Sequence, residues 1–406
     1  MLNDKKDLRG GLPLWLAGSG GRLRTRAKMG AETCDVAIVG GGVSGALIAL
    51  TLSRAGLDVV VVDRRQPGQG STGASTAMIQ FELDTSLREL SGKIGASRAF
   101  RAYRRSLKAV ADLKALTAAE NIRCEWRDRD AVYLAGDHIG YRGLKLEAAT
   151  RRRAGLPSEF LSADELKAKY GVERTGAILS AGAGEINPVR LLTGALNAAR
   201  ARGCRIYAGH EVIEVQNTAI GIRLATDKDG EILCKKAVFA TGYETIKSLP
   251  KGRFDITSSW AIATKRVPPG TFWPTRCLLW EASDPYLYVR TTADNRVLAG
   301  GEDSGLNDAE RRDAAIPAKA ATLLNKLNAL LPGRSFEIDY AWGGAFAVSP
   351  TGLPIFAEID DHPGCMAILA CGGNGITFSL IAAQVVEAWV KGRRDPDASL
   401  FEHAGP

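Results

Sequence analysis

The sequence predicts an α/β fold seeded by one βαβ unit, and three adjacent observations carry that prediction. Cys34-Asp-Val-Ala-Ile-Val39 is a short apolar run with the look of a strand buried in a parallel sheet. Gly40-Gly-Gly-Val-Ser-Gly45 follows and opens an apolar helix to about Arg54, which Gly56 ends. The next strand, Asp58-Val-Val-Val-Val62, closes on an acid, Asp63. A glycine-rich turn between strand and helix, with an acid about 20 residues on, is the Rossmann-type arrangement.

The remaining elements follow in chain order. Residues 1–33 are basic and glycine-rich and read as an arm, pinned to the body by Leu14, Trp15 and Leu16. Residues 86–121 place apolar side chains at helical spacing, from Leu87 and Leu90 to Leu113 and Leu116. Val132–Leu134 reads as a strand and Leu144–Arg153 as a helix. Asn187-Pro188 starts a helix running through Arg200, since a proline in the first turn gives up no needed N–H. Short strands come next at 205–207, 211–215, 220–225 and 237–240, then at 259–264, 286–290 and 296–299. A helix spans about Ile316–Leu330, and the chain closes with a strand at 366–370, Cys371-Gly-Gly-Asn-Gly375 and a helix to about Val390. No internal repeat is present.

Composition excludes several classes. Of 406 residues, 45% are hydrophobic and 24% charged, so disorder does not dominate. No stretch approaches the roughly 20 apolar residues of a membrane span. The charge of +8 is spread thinly, with clusters at Arg101–Lys108 and Arg151–Arg153 that lack interleaved aromatics, which argues against nucleic acid and for solvated helix faces. Seven cysteines lie singly and four histidines are not spaced as ligands, so neither metal nor disulfide framework is expected. The N-terminus lacks the apolar core of a signal peptide, which places the protein in the cytoplasm.

Each glycine has a distinct task. Gly40 permits the tight turn, Gly42 lets the backbone approach a pyrophosphate, and Gly45 lets helix and strand pack. The helix N-terminus offers N–H groups to phosphate, and Asp63 accepts from ribose. No second strand–GxGxxG–helix unit exists: Gly182-Ala-Gly184-Glu-Ile-Asn187 lacks the third glycine, and Gly300-Gly301 precedes acids. One dinucleotide is therefore expected, and if it is a flavin its electrons come from the substrate.

The stretch from Arg64 through Ser71-Thr-Gly-Ala-Ser75 to Ile79, together with Asp63-Arg64, resembles the FAD-dependent D-amino acid oxidase superfamily, which includes glycine and sarcosine oxidases. Further marks are Glu185-Ile-Asn-Pro188, Ala240-Thr-Gly242, Trp342 through Gly352-Leu-Pro354, and Cys371-Gly-Gly-Asn-Gly375-Ile-Thr377 opening the last helix. The resemblance runs from about Asp35 to Ala388. It implies FAD as cofactor, with Gly40, Gly42, Gly45, Asp63 and Arg64 on the ADP half. Ser71, Thr72 and Ser75 would reach the pyrophosphate and ribityl chain, Val212 the adenine, and Gly242 a turn after its strand. Gly373, Asn374, Gly375, Ile376 and Thr377 would lie by the isoalloxazine, where a helix N-terminus stabilises negative charge on the reduced ring.

The resemblance also implies a discontinuous architecture. A Rossmann-type FAD domain would be drawn from 34–95, 180–250 and 341–406, and a substrate domain with a mixed or antiparallel sheet from 96–179 and 251–340. The expected activity is oxidation of a C–N bond in a small amine or amino-acid derivative, with hydride passing to flavin N5. Alternatives are a dehydrogenase passing electrons to a quinone or carrier, a step on a biosynthetic or nucleic-acid-linked amine, and a non-catalytic FAD-binding assembly factor.

In relatives an arginine grips the substrate carboxylate, but here Phe346 stands in the matching stretch. Arg290, ending Tyr286-Leu-Tyr288-Val-Arg290, is the alternative grip or else a surface strand-end residue. Gln80-Phe-Glu82-Leu-Asp84 alternates as a strand would, so Gln80, Glu82 and Asp84 would share a face. Glu82 is a candidate carboxylate for a substrate ammonium, or else a partner in a salt bridge to a nearby arginine. Glu302-Asp303 is a second acidic pair, and Trp280, Tyr286 and Tyr288 could line an apolar pocket. Lys265 is the candidate ammonium for O2 reduction, and Cys371 is close enough to be tested for covalent flavin attachment.

Overall fold

The computed structural model describes residues 6–18, 21, 23–244, 254–369 and 371–402. Two sheets organise the chain, and the α/β class predicted from sequence is what forms. The smaller, eight-stranded sheet has the order Ile355–Glu358, Cys365–Leu369, Glu231–Phe239, Ala31–Val39, Val59–Asp63, Arg205–Ala208, with Val212–Thr218 and Gly221–Thr226 continuing as a meander from Glu231–Phe239. Its centre is parallel: Val36 pairs with Val59 and Ala237 with Ala37. Valines fill it because strands covered on both faces need apolar residues at successive positions.

Helices Val43–Arg54, Pro188–Ala201 and Gly375–Val390 pack together over one face. Leu47, Leu50, Leu191, Ile381 and Val386 are fully buried there, each stabilising the fold by roughly 1.5–3 kcal/mol. Asn187 caps the second of these by accepting the Arg190 N–H at 3.1 Å, with Pro188 in the first turn. The expected helix at 86–121 is two, Leu87–Ile94 and Ala96–Ala119, because Gly95 at φ 82° turns the chain between them.

The larger sheet has ten strands in the order Arg9–Gly11, Ile338–Val348, Asp255–Thr264, Val297–Ser304, Leu287–Thr291, Leu278–Glu281, Arg127–Leu134, Gly176–Glu185, Met78–Ile79, with Ser158–Ser162 also on Gly176–Glu185. It is antiparallel except where Leu278–Glu281 runs parallel to Arg127–Leu134. Two expected domain breaks, at 180 and 341, fall inside strands Gly176–Glu185 and Ile338–Val348, which pair within this sheet. The arm is pinned at Trp15 as expected: it adds strand Arg9–Gly11 to the edge and then a short helix, Leu14–Ala17, that buries Trp15. The stretch 80–86 leaves the sheet after Ile79 instead of continuing as a strand.

All seven cysteines are buried free thiols. Among the described residues no helix is long and apolar enough to cross a membrane, and no cluster of His, Cys, Asp and Glu could hold a metal ion.

Candidate active site

A single cavity joins the first glycine turn to the last, between the two sheets. At the first turn Gly40 has φ 112°, and a Cβ there would sit 2.3 Å from the Ala240 carbonyl oxygen. A Cβ on Gly45 would sit 1.9 Å from the Gly40 carbonyl oxygen, so Gly45 closes the helix onto the turn without itself facing the cavity. Gly42 is open, with Thr72 Oγ1 nearest at 3.5 Å, which leaves its backbone approachable. Thr72 accepts the Val43 N–H at 3.0 Å at the helix start. Ser71 lines the same wall, and its buried Oγ has no partner. An orphaned hydroxyl beside a helix N-terminus fits a phosphate oxygen.

Asp63 accepts the Gly41 N–H at 2.6 Å and the Arg65 N–H at 2.7 Å, one on each oxygen. Burial nevertheless pushes its carboxyl up, and each oxygen keeps lone-pair capacity for a ribose hydroxyl. Arg64 and Arg65 both pair with Glu244, Arg65 at 2.7 Å, and Arg65 donates to the Lys6 carbonyl at 2.9 Å. Val212 and Gly242, the latter at φ 67°, line this end as well. Glu244 and Arg65 were not legible as functional residues, because nothing in sequence joins a residue after Thr241-Gly242 to one two places beyond Asp63.

At the other turn Gly372, Gly373, Asn374, Gly375 and Ile376 line the wall where helix Gly375–Val390 begins. Asn374 Nδ2 donates to the Glu82 carbonyl at 2.6 Å, and Thr377 Oγ1 to the Gln80 carbonyl at 3.2 Å. Thr377 is thus a tether behind the wall, not part of it. Asp84 opens on the cavity and accepts the Gly373 N–H at 3.1 Å. The surrounding protein pushes its carboxyl up, with that one hydrogen bond opposing. Cys371 also lines the wall, and burial pushes its thiol up to about 12, so it is neutral.

The three catalytic candidates lie off this cavity. Because the chain leaves the sheet after Ile79, Glu82 does not share a face with Gln80 and Asp84. It is fully buried, 3.5 Å from Arg151. Arg151 also bonds Glu147 at 2.8 Å and lies over the rings of Tyr103 and Tyr133. Arg290 faces inward and donates to the carbonyls of Ala77 at 2.6 Å and Ile186 at 3.0 Å. Lys265 is exposed and paired with Glu337 at 2.6 Å, as a long solvated side chain prefers.

The end of the wall beyond the last glycine turn carries Gln80, Asp84, Trp280, Tyr288 and Phe346. Gln80 and Trp280 are 9% and 7% exposed, and neither Gln80 Oε1 nor Trp280 Nε1 has a partner among the described residues. Tyr133 stacks on Trp280 with centroids 3.8 Å apart. Behind this wall Glu302 and Asp303 together oppose Ser259, since Gly301 pairs with Trp260 but Ser304 with Ser258. This bulge sends Glu302 to Lys319 and frees Asp303 toward Ser259 and Tyr286. Burial pushes Asp303 up to about 6. Among the described residues the cations on the cavity wall are Arg64 and Arg65, both at the nucleotide end.

Known proteins share this plan. Gamma-glutamylputrescine oxidoreductase of Escherichia coli (strain K12) is 25% identical over 380 residues, covering 91% of this chain and 85% of that protein. The crystal structure of glycine oxidase from Geobacillus kaustophilus matches with a TM-score of 0.77 at 21% identity, covering 92% of this chain and 99% of that one. L-proline dehydrogenase from P. horikoshii matches with a TM-score of 0.76 at 18% identity, covering 92% and 97%. These structural likenesses establish the fold. A family model described as FAD dependent oxidoreductase matches residues 35–389, and the chain belongs to that family.

Proposed function

We propose that this chain binds FAD in the cavity and oxidises a C–N bond of a small amine or amine derivative. One observation carries the substrate class: the end of the cavity beyond the last glycine turn presents Asp84 and Phe346 and, among the described residues, no cation. A carboxylate substrate group would meet an acid there, whereas an ammonium meets a charge-assisted partner. The names of the relatives, a glutamylputrescine oxidoreductase and a glycine oxidase, agree with a nitrogen-bearing substrate.

Gly40, Gly42, Ser71, Thr72 and Asp63 would hold the ADP half, and Gly373–Ile376 the ring end. FAD, when bound, supplies the two-electron acceptor. The protein's own groups do the rest. Asp84 would hold the substrate nitrogen beside the Gly373 backbone, with the Gln80 amide oxygen as a second acceptor. Trp280, Tyr288 and Phe346 would exclude water and orient the carbon chain.

A second reading concerns the acceptor. Lys265, the residue offered for O2, is exposed and ion-paired away from the cavity, so any reaction with O2 does not run through it. The test is direct. The purified protein should show a flavin spectrum and bleach anaerobically with primary amines but not with the corresponding carboxylic acids. Air then distinguishes oxidase from dehydrogenase by its rate of reoxidation. A colourless protein that refuses FAD, or equal bleaching by simple α-amino acids, overturns the reading.

A further inference from the structure

The wall between the two glycine turns is the stretch Ser71–Gln80, and three buried donors fasten its backbone. Trp342 Nε1 donates to the Ala74 carbonyl at 2.9 Å, Trp15 Nε1 to the Ser75 carbonyl at 2.7 Å, and Arg290 Nη1 to the Ala77 carbonyl at 2.6 Å. The donors are 1%, 6% and 2% exposed. Ala77 is held at φ 55°, a conformation non-glycine residues seldom adopt and keep only when the surroundings dictate it. Ala74, Ser75, Thr76 and Ala77 all line the cavity.

Two of the three donors touch one another. Trp15 lies over the Arg290 guanidinium, 5.4 Å from centroid to carbon. Arg290 reaches two further carbonyls, of Ile186 at 3.0 Å and Thr291 at 2.9 Å, and burial pulls its pKa down. A buried guanidinium bonded to carbonyls instead of a carboxylate is costly to keep unless the backbone it holds matters. With the carbonyls of 74, 75 and 77 bonded to protein donors, the orientation of these cavity-lining peptides is set by the protein itself. Trp15 belongs to the arm, outside the residues 35–389 matched by the family.

We propose that Trp15, Trp342 and Arg290 are positioning residues that preset the Ala74–Ala77 backbone for FAD, so that cofactor affinity depends on a residue of the N-terminal arm. The proposal rests on the reading that the cavity takes FAD, and the experiment separates the two. FAD affinity is measured by fluorescence quenching on apoprotein of the parent, W15F and R290M, with melting temperatures recorded for each with and without FAD. W15F keeps the ring and loses the N–H. It should weaken FAD binding about fivefold, the effect of one hydrogen bond. Its apoprotein should melt within a few degrees of the parent, and its FAD-induced rise in melting temperature should shrink in step with affinity. R290M should weaken binding more, about 30-fold, and R290K should recover part of it. W15F binding FAD like the parent overturns the proposal. So does an equal fall of both melting temperatures with affinity unchanged, which marks a merely structural role. A parent protein that does not bind FAD overturns the cofactor reading itself.

Discussion

The two ends of the cavity are built on opposite principles. At the end by the first glycine turn Asp63 accepts one neighbouring N–H on each oxygen, and two arginines close on Glu244. Most of that end comes from residues close in sequence, between Gly40 and Ser75. At the other end Asp84 has one backbone donor, while the wall gathers residues from 80 to 346. On the function proposed above, the cofactor would be met mainly by local geometry. The substrate would be met by groups from separate parts of the chain, Gln80 and Asp84 after strand Met78–Ile79 and Trp280 on strand Leu278–Glu281.

Substitutions at each end sharpen the contrast. The largest effect belongs to Gly45→Val, whose side chain has no room against the Gly40 carbonyl. It should cost about 3 kcal/mol or more and abolish FAD retention, read by thermal melting and visible absorbance. Asp84→Asn should act at the other end alone. Loss of a charge-assisted contact worth about 2 kcal/mol should lower kcat/KM for amines roughly 30-fold, with FAD affinity within about threefold of the parent. Comparable losses in both quantities would dissolve the distinction between the ends.

Asp303→Asn should act through stability and pH. The folded carboxyl is pushed up to about 6 from 3.8, so between those values the native state holds a proton that the unfolded chain has released. Stability from this group therefore falls as pH rises from about 4 to 6 and is flat above. The variant should lack that fall and gain about 1–2 kcal/mol over the parent at pH 7, measured by urea unfolding at a series of pH values. The smallest effect is expected at Lys265→Ala. Its pair with Glu337 is exposed and screened by solvent, so stability and the oxygen reaction should both be unchanged.

Legibility followed the same division. The unit from Cys34 to Asp63 was readable because its turn, helix start and closing acid are all local, and the glycine turn at 372–375 because it opens an apolar helix. Glu82 was misplaced because alternation suggested a strand, but the chain leaves the sheet after Ile79 and delivers its carboxylate to Arg151. Arg290 was assigned to substrate because it ends a strand, yet sequence does not say which face a strand-end side chain takes, and here it supports Ala77. The bulge that frees Asp303 depends on pairing with Ser259, forty-four positions earlier in the chain, and had no local signal beyond Gly300-Gly301.

The buried thiols make the protein its own reporter. With all seven enclosed, an alkylating reagent gains access through opening of the chain, so its slow labelling measures local unfolding. Cys371 differs, having one side toward the cavity. Its modification rate should track whether the cavity is filled, giving an occupancy gauge that requires neither colour nor turnover.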